Sequence, residues 1–498
     1  MAADLILRNF RTPDPALELL AVRGRHIVYA GAVAAFDALR GAQTHIIDCD
    51  GGWLLPGFND AHCHPLAHAL TLRQVDCGGA GVNSIAGVQA ALRAAAVQRP
   101  GQSWLRAARC DPSRLLEGRL PDRGELDAAV PDRPLLLVAH DGQRCALNSR
   151  ALSCCGIAAD CPDGIVAGND ERVARALPPP DDAEIEAGLR AASRDYLSRG
   201  ITSLTDTSWS NTVAHWQMLQ LFKQRDLFAP RLSMLAGIDA IDAFAQQGLR
   251  SGAGNAQLRL AGVKLALDES RGGCTQAELD ALALHAHRAG FQLAFHVPDI
   301  ELLRLSLRAL AHVRAEAGSV LRPRFEHCPL CPPQLLPELA HSGAVVVSQP
   351  NLLWQTGPAY LREATAEQLG WVFPYRSFLA AGIPLAFSSD SPLTPCDPLA
   401  AIKTAVTRQV EGGAQLAADE AITPAQAIDA YTWAGAWASG EETEKGRLAP
   451  GQLADLVLLD GNSPAAARVR LTLLDGRVVW ARDDATFPLP GAEFSHTS

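Results

Sequence analysis

The sequence predicts an α/β protein: a barrel of eight parallel βα units, a β-rich domain built from both chain ends, and an inserted subdomain. Three observations support this. Short strands and tight turns occupy both ends, apolar strands alternate with Ala/Leu-rich helices in the middle, and a long irregular stretch follows the first of these strands. We expect the β-rich domain at residues 1–55 and 441–498, the barrel at 56–440, and the insertion at about 70–195.

The two chain ends share a strand-and-turn texture. Near the N-terminus, strand candidates cover residues 4–7, 16–22, 26–31 and 45–48. Near the C-terminus, strands at 454–460, 469–474 and 477–480 include a hairpin around Asp475-Gly476, a typical hairpin dipeptide. Two strand-rich segments that flank one long middle favour a single domain assembled from both.

The middle of the chain alternates strands with helices. The first strand carries His62, and the other seven candidates are 200–204, 231–235, 262–267, 292–296, 324–327, 344–348 and 384–388. Helical stretches such as 276–289 and 300–317 separate them. Eight βα units close into a barrel whose active site lies at the carboxyl ends of the strands.

The stretch from about residue 70 to 195 is longer than any ordinary βα connection. It contains helical segments and one strand candidate at 134–138, and the Pro-rich run 178–182 resembles a linker. We therefore expect an inserted subdomain after the first barrel strand.

Composition narrows the class of function. The 498 residues carry a net charge of −10 without a basic run, which argues against nucleic acid as a partner. Neither a signal peptide nor a bilayer-spanning apolar stretch is evident. We expect a soluble cytoplasmic protein, a homodimer, that acts on a small molecule away from membranes.

The 12 cysteines are scattered, as in a cytosolic chain that keeps its thiols reduced. Cys328 and Cys331 form a C-x-x-C after His327, but a second ligand pair and a thioredoxin-like context are both missing. We assign this pair no function.

His62 and His64 stand in the string PGFNDAHCH at the end of a short apolar strand. Residues two apart on a strand point to the same face, so one divalent cation can lie between the two imidazoles. An H-x-H pair alone is weak evidence among 14 histidines. Four further residues near strand ends strengthen it: Lys264, His296, His327 and Asp390.

Each of these residues also has an ordinary structural explanation. A lone histidine is more often a packed core residue, and a lone aspartate after a strand is more often a helix cap. A lysine within an apolar strand is unusual, because an unpaired ammonium is costly to bury. Together, imidazoles and a carboxylate suit zinc and related ions. Asp390 can bind such an ion and accept the proton of the attacking water.

The ordered motifs resemble the amidohydrolase superfamily, and within it the family 3 group that includes N-substituted formamide deformylase-like proteins. They extend over nearly the whole chain: PGFNDAHCH, GITSLTD, GVKLALD, RFEHC, VSQPN, SSDSPL with DPLAAIKTAVTR, ITPAQAIDAYTWAGA and GRLAPGQLADLVLLD.

The resemblance implies a (β/α)8 barrel with a small β-sandwich and one or two divalent metals, Zn2+ first and Mn2+ or Fe2+ as alternatives. His62 and His64 match the first-strand ligands, and His296 and His327 match those of the fifth and sixth strands. The remaining implied site residues are Asp390 as the eighth-strand ligand, Lys264 as a CO2-carboxylated bridge between two metals, and Asp60 as the residue that orients a histidine.

Three positions depart from the pattern of related sequences. Gln143 stands where relatives commonly have a histidine, Asp268-Glu269-Ser270 stands in place of D-G-S, and Val297-Pro298-Asp299 follows His296 in place of a small residue and I-G-D. We expect the substrate pocket to include Gln143, Asp268, Gln349 and Trp354.

The favoured function is hydrolysis of a small-molecule C–N bond, in an amide or N-substituted formamide, by a metal-activated water. Asp390, Lys264 and His327 are the expected catalytic residues. A deaminase or a cyclic-amide hydrolase on the same scaffold is the alternative enzyme. A catalytically silent regulatory member of the family is a further alternative, but such a protein would be free to lose metal ligands, and here the ligand set is intact. A purely structural barrel would not explain six metal-type residues at strand ends.

Overall fold

The computed structural model describes residues 2–79, 81–99, 103–140, 142–168, 170–267 and 273–482. The chain divides into two compact units. One unit comprises Met1–Pro65 together with Ser193–Ser498, and the other comprises Leu66–Ala192.

The strands of the described residues are β1 Leu5–Arg8, β2 Leu19–Arg23, β3 His26–Gly31, β4 His45–Asp48, β5 Trp53–Pro56, β6 Phe58–Cys63, β7 Val75–Asp76, β8 Leu105–Cys110, β9 Leu135–Ala139, β10 Arg144–Leu147, β11 Ile165–Ala167, β12 Ile201–Asp206, β13 Arg231–Gly237, β14 Leu258–Leu265, β15 Leu293–Val297, β16 Arg324–His327, β17 Val345–Ser348, β18 Leu385–Phe387, β19 Leu456–Asp460, β20 Arg468–Leu474 and β21 Arg477–Ala481.

The α-helices are Phe36–Leu39, Pro65–Thr71, Ile85–Gln98, Arg123–Ala129, Ser149–Cys155, Glu171–Ala176, Asp182–Ser198, Val213–Gln224, Ile241–Gln246, Gln276–Arg288, Ile300–Ala317, Leu336–His341, Pro350–Glu363, Ala366–Leu369, Tyr375–Ala380, Pro398–Thr407, Pro424–Tyr431 and Trp433–Ala438. Short 3₁₀ turns cover Val33–Ala35, Pro112–Arg114, Ile238–Ala240, Pro333–Leu335, Ala418–Glu420 and Pro464–Ala466.

The central sheet has eight parallel strands in the order β18-β17-β16-β15-β14-β13-β12-β6. The segments at the carboxyl ends of its two edge strands are joined, because the Asp390 amide donates to the His62 carbonyl and the His64 amide to the Ser391 carbonyl, both at 2.8 Å. The sheet therefore forms a nearly closed barrel, and the predicted α/β barrel is confirmed.

The barrel strands are buried along most or all of their length, as parallel strands covered by helices require. β13 is buried at every residue. The helix Ile300–Ala317 shows how the covering layer forms, because the Asp299 carboxylate caps its N-terminus by accepting from the Leu302 amide. Leu303, Leu307 and Leu310 then recur at helical spacing and are buried.

The two chain ends form two four-stranded sheets, one from N-terminal strands alone and the other from C-terminal strands together with β5. The first has the order β3-β2-β1-β4 and the second β21-β20-β19-β5. β20 and β21 pair antiparallel around Asp475-Gly476, as the dipeptide predicts. One hydrophobic cluster contains buried residues from both sheets, among them Leu7, Val22 and Leu471.

A buried ion pair ties β13 to the C-terminal segment. The Arg231 guanidinium donates to both carboxylate oxygens of Asp455, at 2.6 and 2.9 Å, and also to Asp475. The Arg231 and Asp455 side chains are almost fully buried, at 1% and 4% exposure. This contact fixes the start of a barrel strand against the terminal sheets.

The unit Leu66–Ala192 contains a five-stranded sheet in the order β11-β10-β9-β8-β7. The strand expected at 134–138 appears as β9, and four further strands join it. β7, β8 and β9 pair in parallel, whereas β9, β10 and β11 pair antiparallel. Over the parts of the chain that the structure describes, we find no helix with the length and apolar character needed to cross a bilayer.

Candidate active site

Residues far apart in the sequence meet at the carboxyl ends of the barrel strands. The imidazole centroids of His62 and His327 are 4.6 Å apart, and those of His296 and His327 are 4.8 Å apart. His64 follows β6, with its ring centroid 5.6 Å from that of His62. The four histidines predicted as ligands thus form one cluster.

Asp390, three residues beyond β18, lies among these rings. Its Oδ1 is 3.1 Å from His64 Nε2 and 3.6 Å from His62 Nε2, and its Oδ2 is 3.9 Å from His327 Nδ1. The candidate ligand atoms of His62, His327 and Asp390 all lie within 4.8 Å of one another, and the three residues are buried. Ligand atoms about 2 Å from a shared cation lie about 4 Å apart or less, so small side-chain shifts would allow joint coordination.

The local electrostatics favour the metal-binding form of these groups. Burial lowers the pKa of His62 and of His296, and the positive charge of Lys264 lowers both further. The two imidazoles are therefore neutral. Burial alone would raise the pKa of Asp390, but the His64 hydrogen bond and the positive charges of His64 and Lys264 outweigh it, so that the pKa is lowered and the carboxylate is ionised.

Lys264 lies near the end of β14 and is buried, with 2% of its surface exposed. Its charge acts on His62, His296 and Asp390. An ammonium held in this position is costly unless anionic groups surround it or it is carboxylated.

His62 has a carboxylate partner that the motif reading did not identify. The Nδ1 of His62 lies 2.6 Å from Glu326 Oε2. The Arg324 guanidinium donates to Glu326 Oε1 at 2.7 Å and to the Ala61 carbonyl at 2.7 Å. The sequence does contain a signal, because Arg324 and Glu326 stand in a fully buried strand where unpaired charges are not expected.

Gln349, expected to line the pocket, bonds to a ligand candidate. Its Oε1 lies 3.0 Å from His327 Nδ1, and its Nε2 donates to Ser388 Oγ at 3.0 Å. Because an amide oxygen only accepts, His327 carries its proton on Nδ1 and keeps the Nε2 lone pair available. Gln349 is fully buried and sets the tautomer of His327.

His64 has an equivalent support that the sequence reading also missed. Its Nδ1 lies 3.0 Å from Ser208 Oγ, and this hydroxyl donates to Asp206 Oδ1 at 2.7 Å. The hydrogen bond and the charge of Asp390 outweigh the effect of burial and raise the pKa of His64.

Asp60, expected to orient a histidine, holds the segment that carries Asp390. It accepts from the Ser389 amide at 2.9 Å and from the Ser389 hydroxyl at 2.5 Å. Asp60 also accepts from the backbone amide of His62 at 3.5 Å, whereas the imidazole of His62 is hydrogen-bonded to Glu326. Burial raises the pKa of Asp60 to about 7.

Two ligand candidates have left-handed backbone conformations, with φ of 57° at Asp390 and 71° at His327. Such conformations are costly for residues other than glycine and concentrate at functional sites. His327 is the last residue of β16, and Asp390 lies three residues beyond β18.

The other residues expected in the pocket are Trp354, Gln143 and Asp268. Trp354 lies on the helix Pro350–Glu363, which starts directly after Gln349, and is 42% exposed. Gln143 is an exposed residue of the unit Leu66–Ala192. Asp268 lies outside the described residues.

Comparisons with known proteins show the family to which the chain belongs. The sequence profile described as "Amidohydrolase family" matches residues 45–480. The N-substituted formamide deformylase of Arthrobacter pascens is 26% identical over 92% of this chain and 93% of its own length.

Two solved structures share the fold. An uncharacterized metal-dependent hydrolase of Pyrococcus horikoshii superposes with a TM-score of 0.75 at 22% identity, over 95% of this chain and 99% of that one. Another from Pyrococcus furiosus gives a TM-score of 0.74 at 21% identity, over 93% and 99%. The resemblance inferred from the motifs is confirmed: the chain belongs to the amidohydrolase family and is a hydrolase of carbon–nitrogen bonds other than peptide bonds.

Proposed function

We propose that the enzyme hydrolyses the C–N bond of a small amide, most specifically an N-substituted formamide, with the help of a divalent metal. The observation that carries the proposal is the convergence of His62, His327 and Asp390, whose candidate ligand atoms lie within 4.8 Å of one another at the carboxyl end of the barrel. The specific substrate class comes from the similarity to the Arthrobacter pascens enzyme.

The donor set fits a divalent metal. His62, His327 and Asp390 would hold it, with His64 and His296 beside them; two neutral imidazoles and a carboxylate are ligands that zinc accepts. When bound, the cation would supply Lewis-acid activation of water and of the substrate carbonyl. We further propose that Lys264 is carboxylated, which would replace a buried ammonium by oxygen ligands for a second ion.

Asp390 is the proposed proton acceptor. Its carboxylate is ionised, buried and within 4 Å of three imidazoles, so it can take a proton from the attacking water and return it to the departing amine. The Ser389 contacts of Asp60 keep this carboxylate in place. His64 Nε2 would donate to Asp390 Oδ1 and so tune the basicity of that oxygen.

We also propose an arrangement of the terminal sheets, an oligomeric state and a location for the protein. The two terminal sheets, which share a hydrophobic cluster, would form the small β-sandwich that the resemblance implies. We also propose a cytoplasmic homodimer; light scattering on the purified protein would test the oligomeric state.

A substrate panel on the purified full chain tests the proposal. The metal content is measured first, and the protein is then incubated with N-substituted formamides, larger amides, cyclic amides and amino-substituted heterocycles, each scored by its product. We expect stoichiometric divalent metal and release of formate together with the amine. The matched control is Asp390→Asn, which should retain metal and release formate about 10²- to 10⁴-fold more slowly.

Each other outcome of the substrate panel would contradict one part of the proposal. Ring opening alone would assign a cyclic-amide hydrolase, and ammonia release alone would assign a deaminase. Protein without metal that zinc, manganese or cobalt does not activate would contradict the metal-dependent mechanism.

A further inference from the structure

We propose that Glu326, held by Arg324, is a positioning residue that directs the Nε2 lone pair of His62 toward the divalent metal. The inference rests on the proposed function, because it requires a metal at His62, His327 and Asp390. It adds a charged support that neither the ligand motifs nor the comparisons assign.

The hydrogen bond between Glu326 and His62 decides the tautomer of the imidazole. Glu326 Oε2 lies 2.6 Å from His62 Nδ1, and both side chains are buried, with 0% and 1% exposure. Both oxygens of Glu326 accept from the Arg324 guanidinium, so the group also accepts from His62, and Nδ1 of His62 carries the proton. Nε2 then keeps its lone pair and faces Asp390 Oδ1 at 3.6 Å, on the side where the candidate ligands meet.

Arg324 holds the carboxylate of Glu326 by hydrogen bonds to both of its oxygens. Its Nε donates to Glu326 Oε1 at 2.7 Å, and its Nη2 donates to Glu326 Oε2 at 3.2 Å. The same Nη2 donates to the carbonyl of Ala61 at 2.7 Å. Because Ala61 directly precedes His62, the guanidinium ties the carboxylate to the strand segment that bears the imidazole.

The barrel register sets Arg324 and Glu326 against different neighbours. Arg324 pairs with Ala294 of the neighbouring strand, and Glu326 pairs with His296. The backbone of Arg324 thus lies opposite a small residue, while that of Glu326 lies level with a candidate ligand. The arrangement therefore spans from β16 to β6 inside the barrel.

His62 and His327 differ in the charge of the side chain that is hydrogen-bonded to their Nδ1 atoms. His327 Nδ1 faces the neutral amide of Gln349, whereas His62 Nδ1 faces a carboxylate. A carboxylate partner makes the opposite ring nitrogen a stronger donor than an amide does, and loss of such a partner commonly costs 10- to about 100-fold in metal affinity. Glu326→Gln would give His62 the kind of partner that His327 already has.

The test compares Glu326→Gln with a matched control, Glu441→Gln. Glu441 is also a buried, ion-paired glutamate, bonded to Lys445 Nζ at 3.0 Å and to Ser233 Oγ at 2.8 Å. Zinc affinity is measured by competition with a chelator, and the absorption bands of the cobalt-loaded proteins are recorded. We expect Glu326→Gln to bind zinc about 10- to 100-fold more weakly with shifted cobalt bands, and Glu441→Gln to match the wild type in both.

The outcomes separate this inference from the proposed function. Wild-type protein that binds neither metal overturns both. Wild-type protein that binds zinc, beside a Glu326→Gln variant with equal affinity and unchanged cobalt bands, overturns only the positioning role. If Glu326→Gln does not fold, Arg324→Lys replaces it, since a single ammonium cannot reach both Glu326 and the Ala61 carbonyl in the same geometry. Unchanged zinc affinity in that variant would also overturn the role.

Discussion

Nε2 of His64 lies 3.1 Å from Oδ1 of Asp390, which joins the end of the first barrel strand to the segment after the last. The backbone repeats this link, because the Asp390 amide donates to the His62 carbonyl. The seam where the barrel closes is therefore also the place where the candidate ligands meet. Changes at this seam should affect metal binding and turnover in separable ways.

Asp390→Asn should retain the fold and much of the bound metal but lose turnover. An asparagine still offers one oxygen ligand, whereas it cannot accept a proton from the attacking water. General acid–base assistance contributes about 10²- to 10⁴-fold, so kcat should fall by this factor while KM changes little. Steady-state kinetics on metal-loaded protein test this, and a variant with near wild-type kcat would move the proton acceptor to His327.

His62→Ala should lower metal content and rate together. The substitution removes a ligand and leaves Glu326 buried without its imidazole partner, which adds a cost in stability. Metal analysis after gel filtration should find substoichiometric zinc. His285→Ala is the control, since His285 is exposed and bonds to Asp242 on the barrel exterior; full metal content in both variants would exclude His62 as a ligand.

Carboxylation of Lys264 should be visible in the protein loaded with metal. Incubation with ¹³C-bicarbonate should give one carbamate carbon signal in the NMR spectrum, and Lys264→Arg should abolish it because the guanidinium cannot take up CO2 in this way. The wild type should also bind more metal per chain than the variant. Equal metal content and no carbamate signal would leave Lys264 as an ammonium beside acidic groups.

The Arg231–Asp455 pair should matter for stability and not for chemistry. Asp455→Asn removes the bidentate partner of the buried Arg231 guanidinium and leaves Asp475 as its remaining carboxylate, which should cost about 1–3 kcal/mol. Denaturant unfolding should show this loss, whereas kcat of the folded variant at low temperature should stay unchanged. Arg362→Gln, at an exposed pair with Glu363, is the control and should change stability by less than about 0.5 kcal/mol.

The sequence predicted the barrel because strand candidates alternate with Ala/Leu-rich helices, and the strand ends marked the candidate ligands. It could not predict the partners of these ligands. The contact of Glu326 with His62 depends on two strands 264 positions apart that face each other only after the barrel forms. The role of Gln349 likewise depends on the direction of its side chain at the end of β17.

The unit Leu66–Ala192 shows a different limit. Its sheet includes β7 with two residues and β11 with three, which are too short to produce a periodic pattern. Only β9, with its run of leucines, was recognisable before the structure. Short strands in such a sheet are defined by their neighbours and not by their own sequence.

We expect His62, His327 and Asp390 to hold one divalent metal, and anomalous X-ray diffraction from zinc-loaded crystals would locate it. The zinc peak should lie within about 2.0–2.2 Å of an imidazole nitrogen of each histidine and of an Asp390 oxygen. A fully loaded, active crystal whose zinc lies away from these three side chains would contradict this expectation.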